Sequence, residues 1–118
     1  MNESASLDME VFGKLQKLGG SSFVKQLLKL FFEYVPGKIA EARAALDAGN
    51  CEAVGHAVHP LKSSAAHVGA RRVQELAQQI EQLAKQKRPE ILVPLVRELE
   101  DAYAEVKPQL EQVQATME

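Results

Sequence analysis

Cysteine occurs once in this chain, tryptophan not at all, and four phenylalanines and two tyrosines supply every aromatic ring. A single thiol, Cys51, cannot close an internal disulfide, so the fold has no covalent staple and a reducing cytoplasm is its simplest setting. No apolar run approaches the roughly 20 residues that span a bilayer, and the acidic, polar start from Met1 to Glu10 lacks the regions of a signal peptide. Neither sign of charge dominates. The 14 basic and 16 acidic residues leave a formal charge of −2, and no basic patch offers the counterion-displacing surface that nucleic-acid binding needs. Also missing are a glycine-rich phosphate loop, a nucleotide fingerprint and a clear acidic metal cluster, which excludes a self-sufficient kinase. What remains is an ordinary balance of apolar (46%) and charged (25%) residues in 118 positions. That is enough for one hydrophobic core and too little for two, so residues 1–118 read as a single soluble domain.

Every apolar pattern has the helical period, and none alternates as a strand would. Leu7, Val11, Leu15 and Leu18 mark a short first helix, capped by Ser6 or Asp8 and stopped at Gly19-Gly20. After Ser21-Ser22 a longer helix carries Val24, Leu27 or Leu28, Phe31, Val35, Ile39, Ala42 and Leu46 on one face as far as Gly49, with a bend expected at Pro36. Asn50 caps a third helix that ends near Gly69. The fourth buries Val73, Leu76, Ala77, Ile80 and Leu83, carries Lys85, Lys87 and Arg88 at its C-terminal end, and stops at Pro89. The fifth uses Leu95, Leu99, Ala102, Tyr103, Val106, Leu110 and Val113, with Pro94 in its first turn, a bend at Pro108 and a frayed tail over Gln112 to Glu118. Short connections make neighbours antiparallel. The expected fold is all-α: an antiparallel up-and-down four-helix bundle preceded by one short helix.

The third helix carries an anomaly. At about 100° per residue, Val54, Ala57, Leu61, Ala65 and Val68 share one face, and His59 falls nearly opposite them. Its neighbours on that outer face, Gly55, Ser63 and Ala66, have almost no bulk, and Lys62 is the only cation beside it. An uncrowded imidazole with one adjacent positive charge suits docking and phosphate transfer. Pro60 complicates its presentation, because the carbonyl of His56 loses its helical donor. Either the helix kinks at the reactive residue, or a new helix starts with Pro60 in its first turn and His59 as its cap.

The run His59-Pro60-Leu61-Lys62-Ser63-Ser64-Ala65-Ala66-His67-Val68-Gly69 resembles the signature of histidine-containing phosphotransfer (HPt) domains. In that signature a histidine is followed by any residue, Leu, Lys, Gly or another small residue, Ser, and a Gly ten positions after the histidine. Leu61, Lys62, Ser64 and Gly69 match, and Ser63 stands where Gly is commonest. The likeness extends to the Phe31-Phe32 segment, the Gly-Asn stop before the motif helix and the Ala77 to Leu83 stretch after it. It implies that His59 accepts and donates a phosphoryl group, that Lys62 neutralises the phosphate and that Ser63 keeps the approach open. Glu81 then occupies the position that commonly orients the histidine.

The resemblance further implies a docking face of Gly55, His56, Ser63, Ala66 and His67 for response-regulator receiver domains, one of them on a hybrid sensor histidine kinase. Mg²⁺ and the reacting aspartate would come from the receiver, so the chain itself needs no bound cofactor. Contacts should be transient and the carrier monomeric, since a relay must release each partner. Met1 favours a free-standing carrier over a segment of a hybrid kinase. A zinc site is the competing use of these histidines: His56 and His59 lie three apart on one flank, with His67 less well placed, but no Cys or acidic partner completes a set by spacing. Cys51 reads as a small helix residue and the aromatic residues as core.

Overall fold

The computed structural model describes residues 7–117, among which there are five helical segments and no strand: α1 (Glu10–Asp47), α2 (Cys51–Val58), α3 (Leu61–His67), α4 (Arg71–Ala84) and α5 (Pro89–Thr116). The expected short first helix is present but is joined to the next. Within α1 two helices meet at a kink: Gly20, at φ 80° and ψ −177°, turns the chain out of helical geometry between a leading arm and the long bundle helix. The leading arm begins at Asp8, whose Oδ1 accepts the Glu10 N–H at 3.1 Å; Ser6, the other candidate cap, lies outside the described residues. The arm seats Phe12 in the core and leaves Leu18 exposed, so its buried stripe is narrower than the spacing of Leu7, Val11, Leu15 and Leu18 suggests.

Segments α2 and α3 form one strut of the bundle, and four struts close a ring. The long helix α1 packs on α2–α3 and α5, while α4 packs on α2, α3 and α5. The apolar stripes meet in a continuous core in which Val24, Leu28, Val54, Leu61, Leu76, Ile80, Leu92, Leu99 and Leu110 are fully buried, with no charged side chain among the buried residues described. Each such Leu or Ile contributes about 1.5–3 kcal/mol of hydrophobic stabilisation. On the rim, Arg43 grips Glu100 through two parallel hydrogen bonds of 3.0 and 2.8 Å, tying α1 to α5. That guanidinium holds the Glu100 carboxyl below the usual carboxylate range.

The prolines behave differently from the sequence reading at two places. Pro89 begins α5 at its first position instead of merely ending α4, which stops earlier, at Ala84. The missing proline N–H is among those a helix start leaves unpaired in any case. Lys85, Lys87 and Arg88 therefore form a turn between the two helices, with Lys87 at φ 58°, and Pro94 sits inside α5 beyond its first turn. Pro36, Pro94 and Pro108 all lie on exposed positions, where water can reach the carbonyls they leave without a donor. The tail does not fray over Gln112: α5 continues to Thr116 because Val113 is docked in the core.

One buried polar atom has no partner among the described residues, the Tyr103 hydroxyl. The Tyr103 ring lies 5.9 Å from that of Phe31 in the core, and an unpaired buried hydroxyl costs on the order of 1–3 kcal/mol. Tyr103→Phe is therefore expected to hold or raise stability, by up to about 1 kcal/mol in urea unfolding. A loss of that size would mean the hydroxyl is bonded in solution.

Candidate functional site

Segment α2 starts where Asn50 Oδ1 accepts the Ala53 N–H at 3.0 Å, and it buries Val54, Ala57 and Val58. This fixes the rotation of everything after it. His59 closes α2 by donating its N–H to Gly55 O at 3.1 Å, and it keeps right-handed helical angles, as does Pro60. Helical hydrogen bonding resumes with Lys62 N–H to His59 O at 3.3 Å and Ser64 N–H to Pro60 O at 3.2 Å. The structure thus takes the kinked alternative: the backbone spiral continues while its hydrogen bonding breaks. His59 ends one helix and does not cap the next, and Pro60 precedes α3 instead of lying in its first turn.

The His59 side chain is 63% exposed. Its Nδ1 is hydrogen-bonded to Glu81 Oε2 on α4, and the other carboxylate oxygen, Oε1, pairs with Lys62 Nζ at 2.5 Å. One carboxylate therefore ties together the two residues that the sequence singles out. The Lys62 ammonium first, and His59 after it, hold the Glu81 carboxyl below its ordinary range against the opposing effect of burial. Glu81 is then an ionised, acceptor-only group, which requires the proton of a neutral His59 ring to be on Nδ1 and leaves the Nε2 lone pair facing solvent.

Around this centre Ser63, His56 and His67 are exposed and Ala66 is half-buried. Gly55 is not part of that open face. It is buried, and a Cβ built on it would lie 3.3 Å from the Ala84 Cβ, because α4 covers this flank of α2 one turn before His59. Among the described residues no three His, Cys, Asp or Glu side chains gather within reach of one metal ion, and Cys51 is buried and free.

The sequence reading missed one feature. Phe23, Leu27, Leu30 and Tyr34 form a second apolar stripe on α1 beside the core stripe, and Phe23, Leu30 and Tyr34 are exposed. Against α3 the Leu27, Leu30 and Tyr34 part of this stripe makes an open groove of about 450 Å³, whose lining also includes polar Glu33, Ser64 and His67. The aromatics are therefore not all core. Apolar residues at i, i+4, i+7 and i+11, one position ahead of Val24, Leu28, Phe31 and Val35, were the available signal: α1 is apolar over a wider arc than one core contact requires.

A family model described as the Hpt domain matches residues 26–115. The chain is 34% identical over 101 residues to histidine-containing phosphotransfer protein 2 of Arabidopsis thaliana, an alignment covering 83% of this chain and 65% of that protein's length. In fold it is similar to the crystal structure of histidine-containing phosphotransfer protein B (HptB) from Pseudomonas aeruginosa, with a TM-score of 0.89 at 22% identity over 98% of this chain and 100% of that one. The HPT domain of a sensor hybrid histidine kinase from Shewanella gives a TM-score of 0.80 at 21% identity, covering 95% of this chain and 96% of that one. These solved structures establish the bundle, and the match of the family model over most of the sequence establishes descent: the chain belongs to the Hpt domain family.

Proposed function

We propose that this chain is a phosphorelay carrier in two-component signalling, which takes a phosphoryl group from a receiver-domain aspartate onto His59 and passes it to another receiver. The observation that carries the reading is the tethering of Nδ1 by Glu81 while Nε2 stands open to solvent. In the forward step the Nε2 lone pair attacks phosphorus, the N–P bond forms, the P–O bond of the aspartyl phosphate breaks, and the aspartate departs as carboxylate. The proton on Nδ1 stays in place. The ring becomes cationic and the Glu81 carboxylate balances that charge, so no base has to remove a proton. The reverse step restores the neutral ring.

Lys62 neutralises the incoming phosphate, and Mg²⁺ belongs to the receiver's aspartate site. The partner rests on Ser63, Ala66, His56 and His67, with an apolar helix face against the groove of Leu27, Leu30 and Tyr34. The chain is a carrier without its own kinase or nucleotide site, monomeric between brief encounters.

The test is incubation with a phosphorylated receiver and Mg²⁺. An acid-labile, alkali-stable phosphate mapped to His59 is expected, and a chain that acquires no such phosphate from any receiver tried is not a carrier. Ser63→Trp sharpens the test. Ser63 is exposed one turn after His59, so an indole there obstructs the approach, and a misplacement of about 1 Å already costs on the order of 10²-fold. Transfer should fall at least that far with an unchanged melting curve. Normal transfer by this variant would refute the docking face.

A further inference from the structure

We propose that Gly55 and Ala84 are a spacer between α2 and α4, and that the separation they set is what lets the one Glu81 carboxylate reach His59 and Lys62 together. For its consequence in transfer the inference rests on the carrier reading; its geometric part does not.

The two pairs are adjacent rungs of one ladder. His59 lies four residues after Gly55, Glu81 lies three residues before Ala84, and neighbouring struts run antiparallel. Both steps therefore advance about one turn, roughly 5.4 Å, in the same direction along the α2–α4 seam. At the first rung both residues are buried, Ala84 to 4% exposure, although the pair also borders an open groove shared with His56, Glu81 and Lys85. A methyl group on Gly55 would stand 3.3 Å from the Ala84 methyl, inside ordinary van der Waals contact by a few tenths of an ångström, and a β-branched side chain, which cannot turn every branch into the groove, presses the helices further apart. At the second rung the tolerance is as small: Glu81 bonds Nδ1 of His59 with one oxygen and Lys62 Nζ with the other at 2.5 Å.

Glycine is a poor helix former, and α2 has only eight residues. Nothing in the turn geometry calls for it, since Gly55 is not among the residues with positive φ. Its use at this position is explained by the space it leaves. Packed helices ordinarily stand about 8–10 Å apart according to the side chains at the contact, so a glycine facing an alanine gives the close end of that range. Widening it by about 1 Å carries the carboxylate out of hydrogen-bond reach of at least one partner. Gly55 and Ala84 are thus positioning residues that act through Glu81.

The experiment uses the free full chain and then the transfer assay. Nitrogen-15 shifts of His59 report where the ring proton sits: on Nδ1 in the wild type, and redistributed toward Nε2 in Gly55→Val as the Glu81 tether is lost. Transfer in Gly55→Val should fall about tenfold or more. In a Glu81→Ala background the same substitution should cost almost nothing further, since the interaction it disturbs is already gone. A merely structural role for Gly55 would lower transfer equally in both backgrounds, and that result would overturn the proposal. So would a wild-type tautomer in Gly55→Val.

Should Gly55→Val not fold, the same contact enlarged from the α4 side decides. Ala84→Val should shift the His59 tautomer, whereas Gly55→Ala, which asks for only a few tenths of an ångström, should leave it in place. A wild-type tautomer in Ala84→Val overturns the spacer. A wild type that accepts no phosphate would remove the carrier reading but leave the tautomer result standing.

Discussion

His59→Ala is expected to yield a folded bundle that takes up no phosphate from a receiver, with labelling below detection and a melting temperature within a few degrees of the wild type. The two halves of that expectation have separate grounds. The imidazole is 63% exposed, alanine is the better helix former, and the ion pair between Glu81 and Lys62 at 2.5 Å survives the change. Surface substitutions of this kind stay within about 0.5 kcal/mol. The loss of labelling is complete because no other ring is equipped to substitute. His56 and His67 are exposed, yet neither has a hydrogen-bonded carboxylate among the described residues to hold its proton on one nitrogen and balance the charge of a phosphorylated ring. Residual acid-labile label on His56 or His67 would show that exposure alone selects the acceptor, and the tether would lose its role.

Gly69→Val should lower the stability of the bundle markedly. Gly69 has φ 72°, which costs a residue with a side chain about 1–2 kcal/mol and is worse for a β-branched one. Space is the second obstacle. A Cβ there would lie 2.5 Å from the Asp8 carbonyl oxygen, and that contact is backbone, held by the 2.7 Å hydrogen bond from Asp8 N–H to Gly69 O. The leading segment must therefore lift, which unseats Leu7 and Phe12. Together these should cost about 3 kcal/mol or more, a fall of roughly 12 °C in melting temperature for a domain of this size. Removing residues 1–9, which carry both the Asp8 carbonyl and the buried Leu7, should destabilise the wild type more than the variant, leaving between the two shortened chains a difference set by the backbone strain alone. A melting temperature unchanged in Gly69→Val would contradict the geometry of this turn.

Gly69 and His59 also mark how far the sequence could be read. The glycine at a helix end and the Asn50 cap are local signals that appear in the structure where the spacing puts them, and most residues of the 3.6-residue stripes are buried as expected, although Leu18 is exposed and Leu83 and Leu95 are only partly buried. The outward direction of His59 follows from the rotation that Val54, Ala57 and Leu61 impose. Gly55 shows the limit. It lies within about 40° of His59 around the helix axis, so periodicity assigns both to one open face, but whether a flank is open depends on which neighbour crosses it. The same reason hid the exposed stripe of Phe23, Leu30 and Tyr34, since an apolar arc in a sequence does not say how much of it a second helix covers. Pro89 was misread for a different cause: a proline can end one helix or begin another, and here a turn through Lys87 at φ 58° leaves it the beginning of α5.

The closed ring of struts gives the molecule a back as well as a front. Because α5 braces α1 and α4, it stands diagonally across from the strut that carries His59. A dye or surface anchor at Ala104→Cys, an exposed site on α5, leaves the approach to the imidazole unobstructed, and the native thiol competes little because Cys51 is buried. An encounter with a receiver can then be followed from the far wall of the domain without touching the wall that carries His59.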